Sequence, residues 1–368
     1  MPLARAASSP GPITAAESKA LLRTASKLSG LPTKRAVPVV TEDPARFRQR
    51  RAKAIERLYP AAAQSYDDTL YNALGVTPAP GLLHKALADS LVQQALYDPL
   101  TRKVYVSRGR APRAAILQQL VNALQDQSFG LARLRALAGS RDARLAASAA
   151  VTGYASLVAR LPASSLHGGS RLVRFLELEN RFPATVGLRF AADVRNLGGN
   201  NAVFGALRRF PATTEQVFHV DKFLEREPAV RIVLPVDAAG LTLSGDDTFG
   251  ELDVRALLSV FAVPRLDRAG EGWGGGRSAL YRSGPRIAAV LALDWDSELD
   301  AYQWAEAVRS YVDQAFDPAV PTPCGATMCW VGSGNAVAFE RLGRRTTLVL
   351  GADVESSEEL ARAILGES

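Results

Sequence analysis

Residues 112–129 read PRAAILQQLVNALQDQSF, and this stretch decides the fold of the chain. Apolar side chains recur in it at intervals of three and four residues, namely at Leu117, Leu120, Val121 and Leu124. This period places them on one face of an α-helix. Pro112 suits the start of a helix, where its missing N–H costs nothing, and Gly130 suits the end. The pattern therefore predicts one amphipathic helix, around which the rest of the chain is organised.

A polar track runs beside the apolar face of this helix. Gln118 and Asn122 lie four residues apart, so their side chains point the same way, and Gln119 is their neighbour. All three are amides, which are neutral and cannot act as a base near pH 7. The track is therefore polar without being reactive.

The sequence QQLVNALQDQ at residues 118–127 resembles the active-site helix of a bacterial family of zinc metallopeptidases with the zincin fold, which reads HELVHALQDQ. Without a gap, Gln118 stands at the first histidine, Gln119 at the glutamate and Asn122 at the second histidine. In an H-E-x-x-H helix, two imidazoles one turn apart bind zinc and the glutamate activates the zinc-bound water. The resemblance implies a metallopeptidase helix from which the chemistry has been removed.

A second resemblance concerns the third zinc ligand. Residues 150–155, AVTGYA, resemble the family segment ALVEGDA, in which the glutamate completes a site of two histidines and one carboxylate. Thr152 stands at that glutamate and Tyr154 at the next acidic residue. A threonine in a helix has no special meaning by itself. However, the residues at all four positions with a defined role, 118, 119, 122 and 152, differ from those of the family. The resemblance implies a chain with no catalytic residue, no metal and no cofactor.

Two further segments occur in the order that the family has. Residues 95–106 predict a β-hairpin around an Asp-Pro turn and resemble the family's YDPxTxxLYV hairpin. Residues 210–223 resemble PxSTEQVLHPEKY and keep Glu215 and His219. The resemblance makes His219, Glu215 and Tyr154 candidate ligand contacts in the old cleft. For His219 two interpretations stand: it stabilises an oxyanion or contacts a ligand, or it ties a loop to its neighbours.

The fold class that the resemblance implies is α+β, a helix-rich zincin-like domain with a small β-sheet beside the former active-site helix. We expect a single domain over residues 17–368, with an α/β subregion at about 228–368. Residues 1–16 are rich in Ala, Ser and Pro and predict a disordered tail.

Two segments of the subregion carry predictions of their own. Residues 230–235, VRIVLP, predict a strand. Residues 270–277 predict a glycine-rich loop that resembles the family element GWGGDR. Because this loop lacks the G-K-[ST] of a phosphate-binding loop, it does not indicate a nucleotide site.

Composition argues against several classes of function. The 368 residues are 47% apolar and 22% charged, which is ordinary for a globular protein. The net charge of +7 is spread along the chain, and no basic block alternates with aromatic residues, so nucleic-acid binding is not indicated. No run of apolar residues reaches the ~18 of a transmembrane segment.

Cys324 and Cys329 are the only cysteines. Two thiols cannot complete a four-ligand zinc site, so a short-loop disulfide and two free thiols are the alternatives. We favour the disulfide, which implies an oxidising compartment. Residues 1–19 lack the apolar core of a secretory signal. The expected location is extracellular or in the cell envelope, with a leader absent from this chain, and the alternative is the cytoplasm.

The sequence therefore predicts a pseudo-metallopeptidase that has a binding or structural role and uses the former substrate cleft for a peptide or protein partner. One alternative is an active hydrolase with a non-zinc site, although the chain has no G-x-S-x-G elbow. Another is a purely structural envelope protein. An open groove over Gln118 and Asn122 favours binding, and a groove filled by side chains favours a structural role.

Overall fold

The structure is a computed structural model that describes residues 13–90, 94–109, 111–137, 140–161, 168–332 and 334–366. Over these residues the chain forms fourteen α-helices and eleven strands. The helices are α1 (Ala15–Ser29), α2 (Pro44–Leu58), α3 (Ala61–Ala73), α4 (Leu83–Ser90), α5 (Arg113–Phe129), α6 (Arg141–Ala159), α7 (Arg171–Arg181), α8 (Val186–Arg208), α9 (Thr214–Phe218), α10 (Val220–Glu225), α11 (Glu251–Val260), α12 (Leu266–Gly270), α13 (Glu298–Ala315) and α14 (Val354–Leu365). The strands are β1 (Val39–Glu42), β2 (Ala95–Asp98), β3 (Lys103–Ser107), β4 (Asp237–Ala238), β5 (Leu241–Thr248), β6 (Trp273–Ser283), β7 (Arg286–Trp295), β8 (Val320–Pro321), β9 (Met328–Gly332), β10 (Asn335–Leu342) and β11 (Arg345–Gly351). The predicted α+β class is confirmed.

The helix predicted from the apolar period is α5. Pro112 is its N-cap residue, and Gly130 ends it with a left-handed φ of 70°. A residue with a Cβ adopts that conformation at a cost, which is why glycine suits the position. Leu120, Val121 and Leu124 are fully buried in the helical core.

A small three-stranded sheet lies against α5. Its order is β1-β3-β2, with β1 parallel to β3 and β2 antiparallel to β3, so the predicted hairpin is confirmed. Tyr97 connects the hairpin to α5 twice: its backbone N–H donates to Gln119 Oε1 at 2.9 Å and its hydroxyl donates to Asp126 Oδ2 at 2.7 Å. These bonds fix the position of the sheet beside the polar track.

The second half of the chain forms an eight-stranded antiparallel sheet. Its order is β4-β5-β6-β7-β11-β10-β9-β8. Large aromatic side chains fill the core on the face that α11 and α13 cover, and among them Trp273, Trp295 and Trp304 are almost completely buried. Helix α14 packs on the other side, where Leu360 and Ile364 join a separate apolar cluster.

The start of α6 connects the helical half to the sheet half. Arg141 is buried, and its guanidinium donates to Asp253 Oδ1 at 2.5 Å, to Tyr71 Oη at 2.7 Å and to the Glu179 carboxylate. These partners lie on three different helices, α11, α3 and α7. A buried guanidinium needs such partners because an unpaired buried charge is very unfavourable. Arg141 therefore fixes α6 against the elements that support the large sheet.

Two predictions for the sheet half are wrong in detail. Residues 230–235 are not a strand, because Val230 N–H bonds to Gly274 O (2.7 Å) without a continuing ladder and Pro235 has no N–H to donate. Val233 is 72% accessible, whereas Ile232 and Leu234 are partly buried against an apolar cluster of the large sheet. The residues 270–277 are not all loop, because β6 already begins at Trp273 and passes through the glycines with a bulge between Trp273 and Gly275.

The prediction of a disordered tail over residues 1–16 is wrong at residues 14–16. Helix α1 begins at Ala15, and a capping box joins Thr14 to Glu17: Glu17 N–H donates to Thr14 Oγ1 at 3.2 Å, and Thr14 N–H donates to the Glu17 carboxylate at 3.0 Å. Such a box supplies partners for backbone groups that the first helical turn leaves unpaired. Residues 1–12 lie outside the described part of the chain. The prediction of a single domain over residues 17–368 stays a prediction.

Candidate functional site

The polar track of α5 forms a continuous chain of hydrogen bonds between amide side chains. Gln119 Nε2 donates to Gln118 Oε1 at 3.1 Å, and Asn122 Nδ2 donates to Gln119 Oε1 at 3.2 Å. Gln125 Nε2 donates to Asn122 Oδ1, also at 3.2 Å. Gln118 and Gln119 are buried, and Asn122 is half-buried. The structure thus brings together three positions that the sequence singles out.

The side chains at both ends of this series of hydrogen bonds, Gln118 and Gln125, bond to helix α6. Gln118 Nε2 donates to Ser156 Oγ at 2.7 Å, and Ser156 Oγ donates to the Thr152 carbonyl at 2.8 Å. Gln125 Nε2 donates to the Val151 carbonyl at 3.0 Å. The helical turn that carries Thr152 therefore faces the polar track of α5. We call Gln118, Gln119, Asn122, Gln125 and Ser156 the amide network.

The donor set at these positions does not fit a zinc ion. Zinc sites in proteins use imidazole, thiolate or carboxylate ligands, whereas positions 118, 122 and 152 supply two neutral amides and a hydroxyl. The amide oxygens of Gln118 and Asn122 already accept hydrogen bonds. Gln125 Oε1 is buried without a hydrogen-bond partner in the described part of the chain, and one neutral oxygen does not make a metal site.

Elsewhere in the described residues, two groups of three metal-ligand side chains lie close together. The first contains Cys324 and Cys329, whose sulfurs are joined in a disulfide. The second is Glu215, Glu227 and Asp296. Neither group includes a position of the amide network.

Lys222 is inserted into the second group. Its Nζ lies 2.6 Å from Glu215 Oε1, 3.1 Å from Glu227 Oε1 and 2.5 Å from Asp296 Oδ2. Burial alone would lower the pKa of Lys222, but hydrogen bonds to Asp296 and Glu215 raise it above its usual value. The ammonium therefore takes the place that a cation would need. Glu215, a predicted cleft contact, is buried and forms an ion pair with Lys222.

Tyr154, the second predicted cleft contact, lies between helices α1, α6 and α8. Its side chain is completely buried, and its hydroxyl donates to the Ser29 carbonyl at 2.5 Å. Phe204 packs edge-on against the ring, with the two ring centroids 6.1 Å apart. Tyr154 therefore fixes α1 against α6, and its role as a ligand contact stays a prediction.

His219, the third predicted contact, borders a cavity of about 640 Å³. We call this cavity the His219 pocket. It is lined by the end of α7, the start of α8, the end of α9, and helices α11 and α12. His219 Nε2 lies 3.1 Å from Oε1 of Glu251, a fully buried residue. Its hydrogen bond to Glu251 raises the pKa of His219. Both interpretations of His219 are compatible with this arrangement, because the residue fastens the turn before α10 to α11 and also borders a cavity.

Three arginines also border the His219 pocket, and the sequence motifs gave no sign of them. Arg181 ends α7, Arg189 lies near the start of α8, and Arg255 lies on α11. Arg255 Nε donates to Glu251 Oε1 at 2.7 Å and its Nη1 to Asp267 Oδ1 at 2.7 Å. Arg181 Nε, by contrast, is buried without a hydrogen-bond partner in the part of the chain that the structure describes.

The predicted disulfide is confirmed: Cys324 and Cys329 are bonded, with their Cα atoms 6.1 Å apart. The bond closes the loop that enters β9. None of the helices in the described residues is both long and apolar enough to cross a bilayer.

Comparison with known proteins gives one partial match. Residues 240–361 match a family described as a domain of unknown function, DUF8575. This region comprises β5 to β11, α11 to α13 and most of α14, and thus leaves out α5, α6 and the amide network. Searches among curated proteins and among solved structures each returned no match.

Proposed function

We propose that this protein is a catalytically inactive relative of the zincin-type zinc metallopeptidases, and that it acts by binding instead of by hydrolysis. The observation that carries the proposal is the amide network. It occupies the positions at which the resemblance implies two zinc ligands and the catalytic base, and it connects them by hydrogen bonds of 3.1 and 3.2 Å.

The network supports this proposal through its chemistry. A zincin needs a carboxylate that takes a proton from a zinc-bound water. Gln119 stands at that position, and its Oε1 accepts hydrogen bonds from Tyr97 N–H and from Asn122 Nδ2. A neutral amide that is held in this way has neither the basicity nor the freedom to serve as a general base.

The binding role belongs to the His219 pocket and not to the amide network. Gln118 and Gln119 are buried and use each other as partners, so this region favours a structural role for its own residues. The His219 pocket has the volume of a small-molecule or peptide site, since such sites are typically ~300–1,000 Å³. His219 also belongs to the longest segment that resembles the family.

We further propose that the protein works in an oxidising compartment, outside the cytoplasm. The Cys324–Cys329 disulfide supports this location, because structural disulfides persist where thiols are not kept reduced.

Metal content and peptide turnover test the proposal. The protein is purified without chelator, and bound zinc is measured by mass spectrometry. Hydrolysis of a fluorogenic peptide mixture is then followed with and without added zinc. We expect far less than one zinc per chain and no turnover above buffer. About one zinc per chain that is lost in Gln118→Ala, or turnover that depends on zinc, would contradict the proposal.

A further inference from the structure

We propose that the His219 pocket binds a carboxylate that is carried on an apolar body. This inference rests on the proposed binding role and names its ligand class. Two observations carry it: unpaired arginine groups border the pocket, and apolar side chains line about half of it.

The positive charge comes from Arg181 and Arg189. Among the described residues, the ion pairs and side-chain hydrogen bonds of the structure use neither guanidinium, and Arg181 Nε is buried with no acceptor. A buried donor without an acceptor is unfavourable, so an anion that supplies the acceptor gains binding free energy. A guanidinium also matches the two oxygens of a carboxylate in a bidentate pair.

The third arginine shapes the pocket but does not add free charge. Arg255 is neutralised by Glu251 and Asp267. Its guanidinium carbon lies 4.6 Å from the centre of the Phe218 ring, so the two side chains hold each other in place. His219 shares the Glu251 carboxylate, so Arg181 and Arg189 are left to meet a ligand.

The apolar part of the pocket fits the body of the ligand. Phe182 and Phe218 pack with their ring centres 5.2 Å apart, and Leu178 and Leu252 lie beside them. Apolar groups that enter such a cavity lose contact with water, which favours binding. A purely inorganic anion would leave this surface unused.

The first turn of α8 adds to the preference for an anion. Thr185 and Val186 border the pocket, and no side chain caps this helix end. The unpaired N–H groups of a first turn carry a partial positive charge. Charge complementarity therefore points to a negatively charged group on the ligand.

Two sources could supply this chemistry: a free fatty-acid-like carboxylate, and the C-terminus of a peptide that ends in an apolar residue. The probes are octanoate, the dipeptide N-acetyl-Leu-Phe with a free carboxylate, and the same dipeptide as its C-terminal amide. Binding of each is measured by isothermal titration calorimetry to the full chain.

We expect at least one of the two carboxylates to bind, and the amide to bind at least tenfold more weakly than the free dipeptide. Arg181→Gln and Arg189→Gln should each weaken carboxylate binding roughly tenfold, the change that corresponds to one lost charge-assisted contact. Arg195→Gln is the matched control, since Arg195 is an exposed arginine of the same helix, α8, that does not border the pocket. It should leave binding unchanged. Circular dichroism checks that the variants fold, and Arg189 is exposed, so that its variant tests the proposal even if Arg181→Gln unfolds.

Octanoate binding alone assigns a free carboxylate, and dipeptide binding alone assigns a peptide C-terminus. If neither carboxylate binds, or if Arg195→Gln weakens binding as much as Arg189→Gln does, the inference is wrong. Peptide hydrolysis, measured on the same samples, separates the two proposals. Peptide cleavage with added zinc would overturn the inactive-enzyme proposal, whichever probe binds. If the protein neither cleaves peptides nor binds a carboxylate, only the proposed ligand of the His219 pocket is overturned.

Discussion

Gln118 Nε2 donates a 2.7 Å hydrogen bond to Ser156 Oγ, which joins α5 to α6 where the resemblance implies a zinc ligand on α5. The same glutamine accepts from Gln119, so one side chain completes two bonds of a buried network. The stability of the helical half should therefore depend on this amide.

Replacing Gln118 with methionine keeps its length but removes both bonds. Gln119 Nε2 then loses its acceptor in a buried position. We expect Gln118→Met to lower the free energy of unfolding by about 1–3 kcal/mol, the usual effect of an unsatisfied buried group. Urea denaturation measures it. Gln49→Met, on the exposed face of α2, is the control and should change stability by less than about 0.5 kcal/mol. Equal effects of the two variants would show that the network does not stabilise the fold.

The geometry also predicts that a zinc site can be rebuilt. Gln118→His, Asn122→His and Thr152→Glu together supply two imidazoles one turn apart and a carboxylate on the facing helix. We expect measurable zinc binding in calorimetric titration, although missing partners for the new histidines should weaken it roughly 10–100-fold relative to an evolved site. The double variant without Thr152→Glu is the control and should bind more weakly. A folded triple variant that binds no more zinc than the parent would show that Thr152 does not face the α5 positions.

Removing the ammonium of Lys222 should leave three carboxylates without a counter-charge. Two of these, Glu227 and Asp296, are partly exposed, so the loss should fall below the ~3–5 kcal/mol of a fully buried broken pair. We expect Lys222→Met to destabilise the fold by about 2–3 kcal/mol at pH 8, as measured by urea denaturation. Lys53→Met, at an exposed position of α2, is the control.

The pH dependence of the stability of Lys222→Met tests whether unpaired carboxylates cause the destabilisation. Burial raises the pKa of Glu215 to about 8 even with the lysine present. Without the lysine, these carboxylates should bind protons more tightly in the folded protein than in the unfolded chain. Stability should then rise as the pH falls from 8 towards 5. A variant as stable as the parent at pH 8 would mean that the three carboxylates do not need Lys222.

His219 should make the stability of the fold depend on pH. Its hydrogen bond to Glu251 raises its pKa in the folded state. Its contribution is therefore fully present below the unfolded pKa of about 6.5, and it is lost as the pH rises through the folded pKa. We expect the free energy of unfolding of the parent to fall with rising pH above pH 6.5 because of His219, and we expect His219→Gln to lose this contribution. A parent protein with the same slope as His219→Gln would contradict the Glu251 contact.

The Cys324–Cys329 bond should contribute little to stability despite its structural role. Its sequence separation is only 5 residues, and closing so short a loop removes little chain entropy from the unfolded state. We expect Cys324→Ser combined with Cys329→Ser to lower the free energy of unfolding by about 1–2 kcal/mol at most. Free-thiol labelling of the denatured parent, isolated from its native source, should detect no thiol. Two labelled thiols would contradict both the bond and the oxidising compartment.

The sequence by itself determined the features that depend on neighbours within one or two helical turns. The period of Leu117, Leu120 and Leu124 predicts α5 with its two ends, because helical geometry repeats every 3.6 residues. The same geometry places Gln118, Gln119 and Asn122 side by side before any tertiary contact is known. The hairpin of β2 and β3 likewise follows from a short turn between apolar runs.

Only the tertiary structure decided which side chains meet across the chain. Arg181, Arg189 and Arg255 border one pocket although no local pattern links them, because three separate helices bring them together. Tyr154 lies next to Gly153 in a segment that resembles a metal site, yet packing against α1 buries it. Lys222 and Asp296 are 74 residues apart and meet in one ion pair. Local periodicity fixes the direction of a side chain within its helix, whereas its partner depends on how distant elements pack.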